Sequence, residues 1–354
     1  MMKKLSTVLF AAMLQVGVAS AQDIHFSQFY ENAILRNPAL TGIFSGDYKA
    51  GVNYRTQWSN ISVPFNTMLA SAETRIAVNK SVGDYISLGV TATYDRAGSI
   101  NFTSMQVYPA INYNKAMADG RRSYLSVGFT GGYIQRAFDL SKATFSTQYQ
   151  NGGFEHGAAS GENIQNVSMT AYDLGAGISF NSSIGANRIV NYYIGAAGYH
   201  VARPKHTFNG DNDLLRLDTR WTANLGVKAN LTEQFGLTVH ANYTTQGPYT
   251  EMIGGALISW RSNPELSKTI VLYAGTFIRI KDAWIPTVKV DYNQYSFTAS
   301  YDFNTSGLKP ATNGTAGYEI SLFVRGKYKH REGYNSSIAC PRFEQMLEGG
   351  EAQF

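Results

Sequence analysis

The sequence holds a single cysteine, Cys340, which excludes an intramolecular disulfide framework and a multi-cysteine metal site. Charged residues are 16% of the chain against roughly 25% in soluble domains, so something other than a charged surface keeps the protein in place. Proline is scarce at 9 residues, and stability must come from the backbone and packing. After the first 21 residues no stretch approaches the ~20 consecutive apolar residues of a membrane helix.

Catalytic and ligand-binding signatures are also missing. His25, His156, His200, His206, His240 and His330 are scattered, with no zinc-motif spacing among them, and no Gly-x-Ser-x-Gly elbow appears. The Gly-rich run Asn151 to Asn163 lacks the Gly-Lys-Ser/Thr ending of a phosphate cradle. Asn209 to Asp218 clusters carboxylates but has no Gly and terminal Glu at calcium-loop spacing, so both runs read as surface loops. The expectation is a non-enzyme without metal or cofactor.

What is present begins with an export signal. Lys3 and Lys4 precede the apolar run Leu5 to Val18, and Ala19-Ser20-Ala21 forms a small-residue cleavage site, so residues 1–21 read as a signal peptide cut before Gln22. Without Lys3 and Lys4 the 30 Lys and Arg fall to 28 against 25 Asp and Glu, a net charge of about +3 that does not suggest a nucleic-acid partner.

Tyr (23), Phe (19) and Gly (34) are abundant, and their arrangement decides the class. Ile86, Leu88, Val90, Ala92 and Tyr94 alternate with Ser87, Gly89, Thr91 and Thr93. The same period of two recurs around Trp221 to Ala229, Leu237 to Tyr243 and Tyr295 to Phe303, as expected of strands with a lipid face and a polar lumen.

Roughly fourteen such segments follow one another, each long enough to cross a bilayer when tilted. They run Asp47 to Gln57, Pro64 to Ile76, Tyr85 to Tyr94, Phe102 to Asn114, Ser123 to Arg136, Ser168 to Phe180, Val190 to Val201 and Asp218 to Ala229. Then come Phe235 to Gln246, Tyr249 to Trp260, Thr269 to Ile280, Trp284 to Tyr292, Tyr295 to Phe303 and Gly317 to Lys329. The fold class is therefore all-β, a transmembrane antiparallel barrel of the outer membrane embedded in its lipid.

A soluble β-sandwich would also alternate. The long strands and the aromatic residues at strand ends, among them Tyr54, Trp58, Tyr94, Trp221, Tyr243 and Trp260, fit interface girdles instead.

The long connections Ala137 to Val167 and Ala202 to Leu217 fall at outside parity, while Gly247-Pro248 and Lys281 to Ala283 are short at the same parity. One wall of the barrel is expected to be tall and the other low.

The chain divides into the signal (1–21), an N-terminal periplasmic or plug-like segment (22–46), the barrel (47–329) and a periplasmic tail (330–354). In the second piece, Phe26, Phe29, Tyr30, Ile34 and Leu35 approximate helical spacing over about three turns, ended by Asn37-Pro38. Three readings stand: a helix packed in the barrel mouth as a partial plug, a helix against the periplasmic rim, or an ordered leader. Glu319, Arg325 and Lys327 in the last strand point to the lumen, where structural pairing is favoured over lining a passage. His240 is expected to face the lumen as a hydrogen-bonded side chain.

The motifs FSQFYENAILRNPALTG, YRTQW (Tyr54 to Trp58), YDRAGSIN (Tyr94 to Asn101) and CPRF (Cys340 to Phe343) resemble those of the PorP/SprF family of type IX secretion system membrane proteins of Bacteroidota. The resemblance spans essentially the whole mature chain, with Glu31 to Leu35 a modest departure from the Asn- or Tyr-rich version usual there. It implies an outer-membrane protein that assists export or surface retention of a particular cargo protein. Such cargo would carry a C-terminal sorting domain and would often be a large adhesin, with gliding motility as one use. The implied partners are the type IX machinery or a periplasmic peptidoglycan-binding protein. Candidate partner-contact residues are Phe26, Phe29, Tyr30, Asn37, Pro38, Tyr54, Trp58, Cys340, Pro341 and Phe343.

Two functional classes remain open from the residues: a docking and assembly barrel, or a porin or transporter for small or hydrophobic solutes. An outer-membrane hydrolase is a weaker third.

Overall fold

The alternating segments pair in chain order, and the first closes on the last to make an antiparallel barrel of 14 strands. The computed structural model describes residues 23–328 except 61–62, 80–82, 118–122, 151, 156, 163, 165, 186–188, 209–214, 263–269 and 308.

The strands are β1 (Tyr48–Gln57), β2 (Phe65–Asn79), β3 (Asp84–Ala97), β4 (Phe102–Ala116), β5 (Tyr124–Ala137), β6 (Ser168–Ile184) and β7 (Val190–Tyr199). The series continues with β8 (Arg220–Asn230), β9 (Phe235–Gln246), β10 (Tyr249–Arg261), β11 (Ile270–Arg279), β12 (Ala283–Tyr292), β13 (Tyr295–Asn304) and β14 (Thr315–Gly326). Every expected segment became one of these, with ends moved by a few residues. Closure is the β1–β14 ladder, in which Tyr48 faces Gly326 and Gln57 faces Gly317. No strand edge is left to be solvated by hydrocarbon.

The pleat sorts the side chains as the alternation demands. In β5, Leu125, Val127 and Phe129 are exposed on the outer wall while Ser126, Gly128 and Thr130 are buried toward the lumen. In β3, Val90 faces out at 41% exposure and its neighbour Thr91 faces in at 2%. An apolar outer band on a closed barrel is the surface a bilayer requires.

Loop placement follows the expected parity. The connections 138–167 and 200–219 leave the same end as the tight turns Gly247–Pro248 and 280–282, so that rim is tall over β5 to β8 and low over β9 to β12.

The lumen departs from the expectation of a uniformly polar interior. Ile253, Leu257, Phe277 and Ile285 face inward and are at most 2% exposed, as is Ile134. Side chains of this kind cannot line water. They are covered by the N-terminal segment of the same chain.

Candidate functional site

Residues 23–44 fill the barrel from within, and nearly all of them are buried. The expected three-turn amphipathic helix is not formed. In its place are a 3-10 turn at Phe29–Glu31, a single α-helical turn at Ala33–Arg36 and a second 3-10 turn at Pro38–Leu40. One continuous helix would present one apolar face, whereas this segment must meet walls on several sides, and breaking it at Asn32 and Asn37 redirects its side chains.

Phe29 and Tyr30 pack on Ile253, Leu257, Phe277 and Ile285. Ile34 packs on Tyr108, Ile134, Ala171 and Leu217. Leu40 and Ile43 pack on Tyr193. Tyr30 also stacks on His240 at 5.0 Å between centroids, and His240 Nδ1 lies 3.2 Å from the Tyr193 hydroxyl, so this histidine is a hydrogen-bonded lumen residue.

The path runs down, up and down again. Asp23 begins at the long-loop end beside His200 and Arg220. Glu31 reaches Lys49 at the start of β1 and Lys289 of β12, at 3.4 and 2.6 Å. The chain then climbs, because the carbonyl of Ile34 accepts from Tyr199 at the far end of β7 and that of Leu35 accepts from Arg220. It descends once more to Gly42, whose N–H donates to Glu73 before the chain enters β1.

Asn37-Pro38, which reads in the sequence as the end of a helix, is also the start of the next turn. The Asn37 side chain accepts from Ala39 N–H at 2.9 Å, and Pro38 occupies the first turn position, where its missing N–H leaves nothing unpaired. The other end of the Asn37 amide donates to the carbonyls of Ile178 and Ala196 and to Asn224. Glycines make this approach possible. A Cβ on Gly177 would stand 2.1 Å from Asn37 Oδ1, and one on its register partner Gly128 would stand 2.3 Å from the Pro38 carbonyl carbon.

Charge anchors the first leg. Ser27 and Gln28 donate their backbone N–H groups to the Glu319 carboxylate at 2.7 and 3.0 Å. Gln28 then uses its side chain as a strand would, donating to the Glu319 carbonyl and accepting from Ser321. Arg55 donates to the His25 carbonyl and to Asp302 at 3.0 Å, and Arg279 donates to Ser27. Arg325 pairs with Asp291 at 3.3 Å.

At the mouth, His200 bridges two carboxylates, Asp23 at 2.6 Å and Asp173 at 2.8 Å, and Asp173 also accepts from Tyr108. Burial alone would pull the His200 pKa down, but Asp23 and the hydrogen bonds to both carboxylates push it up to about 9. Burial would likewise raise Asp23, yet His200 and Arg220 hold its carboxyl well below the usual range.

Above the mouth, the connection 200–219 folds back on itself through the Lys205–Arg216 bridge and lays Leu217 on the Ile34 cluster. Phe208 packs edge-on against Phe102 and Phe138, fixing this loop to the base of its neighbour. His206 contacts Arg136, and burial together with that guanidinium lowers its pKa to about 4. The loop 138–167 carries a small hairpin, Tyr149–Gln150 with Gly153–Phe154, whose Tyr149 and Phe154 rings meet edge to face 5.2 Å apart and are more than half exposed.

Of the residues singled out from the sequence, Phe26, Phe29, Tyr30, Asn37 and Pro38 are buried in the lumen against this chain's own strands. Tyr54 sits on the outer wall near Tyr318 and donates to Asn66, while Trp58 turns the corner after β1 with φ +56° and packs on Phe65. Glu319 and Arg325 are buried in the lumen and paired, but Lys327 lies beyond the end of β14 and is exposed, because the strand stops before it. Cys340, Pro341 and Phe343 lie outside the described residues.

The residues that hold the plug and that motif reading passed over are Arg55, inside YRTQW, and the set Asp23, Asp173 and His200. The first carried a signal, an arginine on an inward-facing strand position. The others meet only in space. Among the described residues no group of three His, Cys, Asp or Glu side chains is arranged to hold a metal ion.

The family model described as type IX secretion system membrane protein PorP/SprF matches residues 18–323. No curated protein matches the chain. Among solved structures, CdiB from Acinetobacter baumannii aligns at 9% identity and TM-score 0.41, over 78% of this chain and 60% of that one. A Pseudomonas aeruginosa FadL homologue aligns at 9% identity and TM-score 0.46, over 81% and 91%. The CymD monoaromatic hydrocarbon channel aligns at 10% identity and TM-score 0.45, over 89% and 96%.

Proposed function

The chain belongs to the PorP/SprF family of type IX secretion system membrane proteins, and we propose that this outer-membrane barrel works as a closed docking platform rather than as a channel. The observation that carries the reading is the plug. Residues 23–44 occupy the lumen with apolar seats, ion pairs and a bridged histidine, so passage of a solute would require breaking them.

The surface left for function is the long-loop rim, which we assign to the cell exterior. Its exposed Tyr149–Phe154 pair is the kind of aromatic anchor that protein interfaces use. In this reading the rim holds a particular exported protein bearing a C-terminal sorting domain, such as a large adhesin. The end opposite the long loops and the tail 330–354 face the periplasmic machinery.

The test is to replace residues 140–165 with a short Gly/Ser linker and follow surface proteins in intact cells. Docking predicts release of one specific protein into the medium, or its failure to appear, while general secretion continues and the barrel remains folded. An unchanged surface with loss of uptake of a small solute would favour the transport reading.

A further inference from the structure

The outer wall is dented near the seam where β1 closes on β14. A groove of about 550 Å³ lies there between two adjoining rungs of the ladder. Its lower rung is Val52, Ala70, Ala92 and Val107, side by side on β1 to β4, and its upper rung is Tyr54, Met68, Tyr94 and Met105 on the same strands. The two alanines make a low floor, and the tyrosines and methionines make a ridge above it. Leu322 of β14 and Phe297 of β13 close the side across the seam.

One rung above the ridge the wall turns polar. There Asn66 faces Arg96, and Arg96 faces Thr103. Arg96 is exposed and is held by a neutral group, since Asn101 Oδ1 accepts from its Nε at 2.9 Å and also from Nη2. The turn after β3 places that asparagine, whose backbone takes φ +49° and whose N–H donates to the Gly98 carbonyl at 3.3 Å. Among the described residues Arg96 forms no ion pair. Asp95 points inward to Thr67 at 2.6 Å, and Asp84, at the opposite end of β3, is taken by Lys115 at 2.8 Å. The Tyr54 hydroxyl donates to Asn66 Oδ1 at 3.0 Å, which leaves Asn66 Nδ2 as a second donor beside the guanidinium.

Depth decides what this polar rung meets. Val90 lies at the middle of β3, and Arg96 is six residues beyond it. At ~3.3 Å per residue that is about 20 Å along the strand, or about 15 Å of height at a tilt of roughly 40°. Half of a ~30 Å hydrocarbon core is the same distance, so Arg96 stands at the headgroup level of one leaflet and the groove lies among that leaflet's acyl chains. The space equals about 18 water volumes, enough for an acyl chain laid along the alanines. A guanidinium without a carboxylate, beside an amide donor, fits an anion rich in acceptors, and a phosphate accepts from the guanidinium through two oxygens at once.

We propose that this wall binds a phosphorylated glycolipid of the outer leaflet, with its phosphate on Arg96 and Asn66 and an acyl chain in the groove. The leaflet rests on the exterior assignment of the long-loop rim, to which the turn after β3 is tied by the Asp139 N–H on the Ile100 carbonyl at 2.9 Å. The phosphate chemistry rests on the wall alone.

Native mass spectrometry of the detergent-purified full-length protein, incubated with monophosphoryl lipid A, tests the site. A single bound lipid per barrel is expected, with phosphate-free lipid A and phosphatidylglycerol retained far less. Arg96→Gln should weaken retention about tenfold, the loss of one charge-assisted contact, whereas Arg96→Lys should keep most of it. Ala92→Phe fills the floor and leaves the cation, and it should weaken retention as well. Lys115→Gln, at the other end of the same wall, should change nothing. Resistance of each variant to SDS at room temperature confirms a folded barrel.

Equal retention of the phosphate-free lipid, undiminished retention by Arg96→Gln, or a preference for phosphatidylglycerol would each overturn the site. So would a protein dimer that Ala92→Phe splits, because a second copy would then own the groove. Replacing residues 140–165 should leave lipid retention intact, so loss of docking and loss of the lipid are read separately.

Discussion

His200 and Asp23, 177 positions apart in the chain, meet with Nε2 2.6 Å from a carboxylate oxygen, and this contact latches the beginning of the plug to the mouth of the barrel. The latch is protonation-dependent. The folded pKa of His200 is raised from 6.5 to about 9, so its contribution is complete below about pH 6.5 and is lost as the pH rises through about 9. A nitroxide placed by Ile24→Cys in a Cys340→Ser background should be immobile at pH 6 and gain mobility between pH 7 and 10. His200→Gln should remove that transition. A label equally immobile at both ends of the range in wild type would show that the latch does not hold the plug.

The loop above the mouth responds in the opposite direction. His206 is depressed to about 4 beside Arg136, so its neutral form supports docking of the 200–219 loop above about pH 6.5, and that support is lost as the pH falls through about 4. Proteolysis of the loop at Arg203 should therefore accelerate in acid with a protease active across that range. His206→Gln should flatten the profile.

Gly177→Ala is expected to unseat the plug without stopping barrel assembly, because the added methyl would lie 2.1 Å from Asn37 Oδ1 while the outer wall is untouched. The readout is cleavage of the segment 23–44 in an otherwise SDS-resistant barrel. Asn37→Ala should act in the same direction, since it strips the Ile178 and Ala196 carbonyls of a donor at a loss of about 1–3 kcal/mol.

Val90→Arg and Thr91→Arg separate the two faces of β3. Val90 faces hydrocarbon, and an arginine there costs about 2–4 kcal/mol near the bilayer midplane, so the barrel should assemble poorly. Thr91 faces a lumen that is already full, so Thr91→Arg should assemble and displace the plug. Equal yields of SDS-resistant barrel from both variants would contradict the assigned faces.

Glu31→Ala removes the carboxylate shared by Lys49 and Lys289 and leaves two buried ammonium groups facing each other's field. A loss of about 3–5 kcal/mol is expected, read as a lower temperature for loss of the folded band on a gel.

The barrel was legible because membrane strands write their orientation residue by residue. The alternation around Val90 and Thr91 is local, and its inward and outward residues stand where the period of two put them. The plug was legible only as an apolar, aromatic stretch ending at Asn37-Pro38. Its spacing resembles a helix, but its true geometry depends on walls contributed by strands all round the barrel, most of them far away in sequence. A trace of the plug does exist in the barrel strands. Ile253 and Leu257 of β10 face inward while Met252 and Ile258 face out, and a strand apolar on both faces implies a covered lumen. The Asp23–His200–Asp173 bridge left no such trace, since nothing near any of these residues marks the other two.

Conductance in planar bilayers bears most directly on whether this protein is a docking platform. The account predicts that the purified wild-type barrel inserts and stays closed, and that deletion of residues 23–41 opens steady ohmic steps in the same bilayers. Steady conductance of the wild-type protein at the level of the deletion variant would contradict it.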